Sequence, residues 1–294
     1  MKLARFVSSR SGEACTGVVE GDRVTPVGPA DQHALLAMAT SRRVPAAAGT
    51  SEALAEVTLL CPVPDPPSVR DFYAFEAHVA AGRRTRGLEV DPDWYELPVF
   101  YFSNPAAVVG PGDPVHAPEG STELDYELEV AAVVGATTSV VDPDRWTEVV
   151  AGFTVMNDWS ARDLQRREVR LGLGPAKGKD FATSLGPVLV TPDELLDGDG
   201  RVHAAMRARV DGSLWSEGEL ADMHHGWPTL LAHAARGTTL RPGDVVGSGT
   251  VGTGCILELA ARHGADHRPW LVPGQVVELE VEGIGRLANP IVGR

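Results

Sequence analysis

The stretch Leu124-Asp125-Tyr126-Glu127-Leu128-Glu129-Val130 places a carboxylate at every second residue. Along an extended strand, Asp125, Glu127 and Glu129 would share one face while Tyr126, Leu128 and Val130 share the other. The apolar run Ala131-Ala132-Val133-Val134 follows at once. An acidic row leading into core-like sequence is costly unless something cationic meets it. No Lys or Arg lies within the stretch. A hard divalent cation with oxygen ligands would satisfy it. An edge strand with a solvated acidic face is the structural alternative.

Other residues join this row as candidates. Asp71 and His78 stand seven residues apart in a segment that reads as a helix running towards Gly82, which would put them on one face as ligand and base. An N-capping Asp and an ordinary His read equally well. Arg83, Arg84 and Arg86 follow, as a solvated turn or a carboxylate holder. The basic residues number 26, and only Lys2, Lys177 and Lys179 among them are lysine. Two of the three fall in Ala176-Lys177-Gly178-Lys179-Asp180, by chance or because a site there uses an ammonium group. Asp158 closes an apolar strand beginning at Gly152, and Ser160 with Asp163 reads as the capping box of a helix that carries Gln165. Glu258 reads as part of a strand, 255–260. The glycine-rich run 247–254 offers hydroxyls and N–H groups to an anion, or forms a β-corner. His224, His225 and His233 do not follow a recognised metal-ligand spacing. The segment 172–186 lacks the Gly-Lys-Ser/Thr ending of a phosphate loop.

The elements that must position these residues are mostly short strands. Residues 1–62 read as a small β-rich N-terminal domain, with strands near 3–7, 16–20, 23–27 and 57–61. Pro62, Pro64, Pro66 and Pro67 then stiffen the chain, so the catalytic domain is placed at 63–294. A chain of 294 residues, 43% hydrophobic and 22% charged, has the composition of an ordinary globule. A net charge of −14 argues against nucleic acid or an anionic membrane as partner. Three widely spaced cysteines without a C-x-x-C fit a reducing compartment. Without an apolar leader or an apolar run of about 18 residues, the protein is expected to be cytoplasmic.

Asp71-Phe72-Tyr73 with His78, Asp125 to Glu129, Asn157 to Asp163, Gly178-Lys179-Asp180-Phe181, Ser248-Gly249-Thr250 and the closing Gly283 to Pro290 occur in that order. Together they resemble the fumarylacetoacetate hydrolase family, from about Asp71 to the C-terminus. The resemblance implies an α+β, predominantly β fold: a mixed β-roll catalytic domain with a small β N-terminal domain, in a homodimer. It implies a metal held by Asp71, Glu127, Glu129 and Asp158, with Mg²⁺ expected and Ca²⁺ or Mn²⁺ as alternatives. His78 would be the base, with Glu258 as its orienting partner. Lys179 and Gln165 would stabilise an oxyanion. Tyr73, Tyr101 and Thr250 would contact substrate, and Arg86 would bind its carboxylate, although the loop after His78 is one residue shorter than in fumarylacetoacetase. The expected reaction is hydrolysis of a carbon–carbon bond in a β-diketo acid. A decarboxylase, hydratase or tautomerase acting on a 2-oxo acid could use the same metal, and a metal-stabilised binding protein would use no base at all.

Overall fold

The computed structural model describes residues 1–197, 201–264 and 267–293. The elements that build the site are β1 (Lys2–Val7), β2 (Val69–Phe72), α1 (Glu76–Arg84), β3 (Phe100–Ser103), β4 (Leu124–Asp125), β5 (Leu128–Val134), β6 (Val150–Asp158), α2 (Arg162–Val169), β7 (Thr183–Val190), β8 (Val245–Gly247) and α3 (Ile256–His263). The fold is α+β with strand predominating, as expected. One large sheet runs β3-β2-β8-β5-β6-β7-β1 and continues through Ala14–Glu20, Arg23–Pro29 and Glu52–Ala53. Along this path β8 and β2 are parallel, and the other neighbours are antiparallel. The N-terminal strands therefore extend the sheet that carries the site, with Leu3 opposite Leu189.

A second sheet of five strands contains Ala205–Val210, Val276–Val281 and Gly285–Val292 at its centre. Phe153 from the large sheet and Leu279 and Leu287 from the second belong to one continuous apolar core. Strands β5, β6 and β7 are buried along their whole length. A strand covered on both faces reads as a near-continuous apolar run rather than an alternation, which is what Val130 to Val134 shows. Glu129 directly precedes that run on β5 and is fully buried. The solvated edge strand is thereby excluded.

Two local readings need correction. Asp71 is on strand β2, opposite Tyr101 of β3 and Gly247 of β8; the helix begins only at Glu76. Phe72, Tyr73 and Phe75 favour extended backbone, and pairing with β8, far along the chain, decides the matter. Residues 256–263 form a helix, not the strand read for 255–260. The first N–H groups of a helix lack intrahelical partners. Here those of Ile256 and Leu257 donate to Asp125, at 2.8 and 3.1 Å.

Candidate active site

Asp71, Glu127, Glu129 and Asp158 converge from β2, the β4–β5 junction, β5 and β6. One carboxylate oxygen from each lies within 4.8 Å of the others, and all four residues are buried. Sheet register produces the convergence. Asn157 pairs with Leu128, and its side-chain oxygen accepts the Glu127 N–H at 2.9 Å. Gly247 faces Asp71 across the parallel pair, where a Cβ would strike the Asp71 carboxylate. Gly249 has φ +80°, and a Cβ there would come within 2.5 Å of the Phe72 carbonyl. Both positions thus depend on glycine to keep the chain flush against β2.

Cations absent from the acidic stretch come from elsewhere in the chain. Arg162, 3% exposed, donates to Asp125 at 2.8 Å and to Glu127 at 2.7 Å. Lys179 contacts both Glu127 and Asp158, whereas Lys177 is exposed and pairs only with Asp180. Five carboxylates, counting Asp125, thus face two permanent cations. Burial, and then the Asp158 charge, pushes the Asp71 carboxyl well above the carboxylate range. Burial, and then the Asp71 charge, does the same to Glu129. Asp158 is also raised by burial, against the pull of Lys179. Burial opposes the charge on Glu127 too, but Lys179, Arg162 and His78 outweigh it and hold that carboxyl low.

Asp71 Oδ1, Glu129 Oε2 and Asp158 Oδ1 are buried without a hydrogen-bond donor among the described residues. Such oxygens are costly when left unpaired. An oxygen-only donor set with surplus negative charge suits a hard divalent ion. The residues present therefore fit a metal.

His78 on α1 and Glu258 on α3 meet beside this cluster. His78 Nδ1 lies 3.2 Å from Glu258 Oε2, and Nε2 faces Glu127 at 4.0 Å. Glu258 is held in turn by the Thr253 N–H at 2.8 Å and by Arg262 at 3.3 Å. Burial works against its charge, but the hydrogen bond from His78 and these further partners keep its carboxyl below the ordinary glutamate value. The Tyr73 ring stands edge-on to His78, 5.4 Å between centroids, and burial pushes its phenol up to about 12. Tyr101 donates to Asp158 at 2.6 Å, and Thr250 to Glu129 at 3.2 Å. Arg162 Nη1 donates to Gln165 Oε1 at 3.0 Å, which leaves the Gln165 amide N–H groups free to donate elsewhere.

A cavity of about 910 Å³ is lined by most of these residues, though not by Asp158, and by Arg86, Arg167 and Arg170. The twelve residues to which the resemblance gives a role thus border it or belong to the carboxylate cluster. Arg162 and Asn157 were not singled out; only a buried arginine or amide distinguishes them, and burial shows in the fold rather than in the sequence. Ser160 is not an N-cap: Ala161 occupies that position without a side-chain cap. Asp163 instead accepts from Ser121 and Thr122. The histidines 224 and 225 pack on Trp94 and bond to backbone carbonyls.

A mostly β fold enclosing a buried acidic metal-type site with a His–Glu pair places the chain among enzymes of small-molecule chemistry. Residues 68–292 match the family model "Fumarylacetoacetate (FAA) hydrolase C-terminal", and the chain belongs to that family. Residues 1–62 match a second model, "Rv2993c-like, N-terminal". Over 242 residues the chain is 30% identical to the oxaloacetate tautomerase YisK of Bacillus subtilis, covering 81% of this chain and 74% of that one. It is 30% identical over 241 residues to fumarylacetoacetase of Arabidopsis thaliana, covering 64% of this chain but only 57% of that longer relative. The structure of a fumarylacetoacetate hydrolase from Exiguobacterium antarcticum superposes over the full length of both chains, with a TM-score of 0.79 and 30% identity. Among the described residues no helix is long and apolar enough to cross a membrane.

Proposed function

We propose that the protein is a metal-dependent hydrolase that cleaves a carbon–carbon bond in a small β-diketo acid. The observation that carries this reading is the His78–Glu258 pair set against the four-carboxylate cluster. An ion held by Asp71, Glu127, Glu129 and Asp158, Mg²⁺ first and Ca²⁺ or Mn²⁺ as alternatives, would supply Lewis-acid polarisation of a substrate carbonyl. Glu258 accepts the Nδ1–H of His78, which fixes the tautomer and leaves the Nε2 lone pair towards the cavity. Nε2 then takes a proton from water as the water attacks the carbonyl. Lys179 spends two N–H groups on Glu127 and Asp158, and its third can meet the oxyanion. Gln165 offers an amide N–H to the same charge; each such donor contributes about 3 kcal/mol. Carbon–carbon cleavage leaves a carbanion stabilised as an enolate, which takes up a proton. Tyr73, Tyr101 and Thr250 line the substrate's path, and Arg86 at the rim suits a carboxylate.

The relatedness to an oxaloacetate tautomerase supports a second reading. There the same His78 moves a proton between carbon and oxygen of a 2-oxo acid, and no bond between carbons breaks. The two readings part on products. A panel of β-diketo acids is followed by enol absorbance and by product analysis, with Mg²⁺ and with excess chelator. Hydrolysis yields two acids from each molecule consumed, and His78→Ala lowers kcat/KM about 10²–10⁴-fold. Enol loss without new acids, or on 2-oxo acids alone, would replace hydrolysis by tautomerisation.

A further inference from the structure

We propose that His78, Cys255 and Glu258 form a second metal site, one that takes a borderline-soft divalent cation such as Zn²⁺ and disables His78 as a base. The site stands on geometry alone, and only its inhibitory consequence rests on the reading of His78 given above. One candidate ligand atom from each of the three residues lies within 4.8 Å of the others, and all three residues are buried. His78 Nδ1 is 3.2 Å from Glu258 Oε2 and 4.0 Å from Cys255 Sγ. Ligands about 2.0–2.3 Å from a tetrahedral zinc stand roughly 3.3–3.8 Å apart; the Nδ1–Oε2 pair is already close to that spacing and the Nδ1–Sγ pair only slightly beyond it.

The two adjacent sites differ in chemical preference. Four carboxylates favour Mg²⁺ or Ca²⁺, whereas a thiolate, an imidazole and one carboxylate form a zinc-type set with the fourth position open. The cavity reaches His78 and Glu258, which provides a way in for an ion.

The inhibitory effect follows from the two ring nitrogens. As a base, His78 carries its proton on Nδ1 and keeps the Nε2 lone pair for water. Zinc takes the Nδ1 lone pair, so the ring proton moves to Nε2, and the thiol proton of Cys255 is released to solvent. The imidazole stays neutral, but Nε2 can no longer accept a proton.

The test uses the Mg²⁺-loaded protein. Co²⁺ is added as a spectroscopic stand-in for Zn²⁺, and a thiolate-to-cobalt charge-transfer band is sought in the parent protein and in Cys255→Ser. In parallel, Zn²⁺ is titrated against activity, each variant measured relative to its own zinc-free rate. The expected results are a band in the parent that is lost in Cys255→Ser, and zinc inhibition that needs at least tenfold more Zn²⁺ in that variant. Absence of the band in the parent overturns the site, and equal zinc potency in both proteins overturns the switch. The cobalt arm needs no substrate, so a band in a protein that cleaves no β-diketo acid upholds the site while the hydrolase reading fails.

Discussion

The two ends of the acidic stretch have opposite fates. Asp125 is neutralised within the protein: Arg162 and the N–H groups of Ile256 and Leu257 bind its two oxygens. Glu129, four residues on and equally buried, receives one hydroxyl hydrogen bond from Thr250 on Oε1, while Oε2 has no donor among the described residues. Carboxylates on one stretch are therefore a structural pin at one end and a candidate metal ligand at the other. What separates them is not their spacing but the number of donors that other elements bring to each.

The sharpest way to break the comparison is to remove the pin. Asp125→Ala takes one of two carboxylate partners from Arg162 and leaves the first N–H groups of α3 unpaired, and it is expected to cost about 3–5 kcal/mol, read as a lower urea midpoint. Glu129→Gln removes repulsion instead. Its metal-free form is expected to be at least as stable as the parent, while stabilisation by Mg²⁺ is lost. A large destabilisation of metal-free Glu129→Gln would show that both ends are structural.

The two lysines sharpen the contrast on the cationic side. Lys179→Met removes the ammonium shared by Glu127 and Asp158 and is expected to lower kcat about 10²–10³-fold. Lys177→Met breaks only an exposed pair, and its stability should stay within about 0.5 kcal/mol of the parent. Equal effects in the two variants would remove Lys179 from the site.

The smallest effect is read in pH. The folded-state carboxyls of Asp71, Glu129 and Asp158 are raised. Between the unfolded value, about 4, and the raised folded value, the metal-free folded state binds more protons than the unfolded one. Its stability is therefore fully present below the unfolded value and falls as pH rises through the raised range. A Mg²⁺ ion bound by these carboxylates would take the place of those protons, so the Tm gap between Mg²⁺-loaded and metal-free protein should widen as pH rises from about 4. Calorimetry with and without chelator would show this; a gap that narrows with rising pH would contradict it.

The site was legible in the sequence to the extent that residue type and order carry it. Alternation set out Glu127 and Glu129, the rarity of lysine marked Lys179, and the ordered motifs joined them to Asp71, His78, Asp158 and Glu258. The local structure around two of these, and the part played by Arg162, was not legible. Asp71 lies on a strand because β8 pairs with it, and β8 is more than 170 residues further on. Glu258 lies on a helix because Asp125 caps it from a distance. Arg162 escaped notice because its partners are 35 and 37 residues away. In each case a long-range contact overrode or supplied what local propensity could not.

The parallel pairing of β2 with β8 also orders events during synthesis. Asp71 leaves the ribosome more than 170 residues before the strand that seats it, and His78 leaves 180 residues before the Glu258 it pairs with. A growing chain therefore carries Glu127, Glu129 and Asp158 long before the histidine beside them has its partner. The nascent protein can gather these carboxylates before Asp71 is seated against β8 and before His78 meets Glu258.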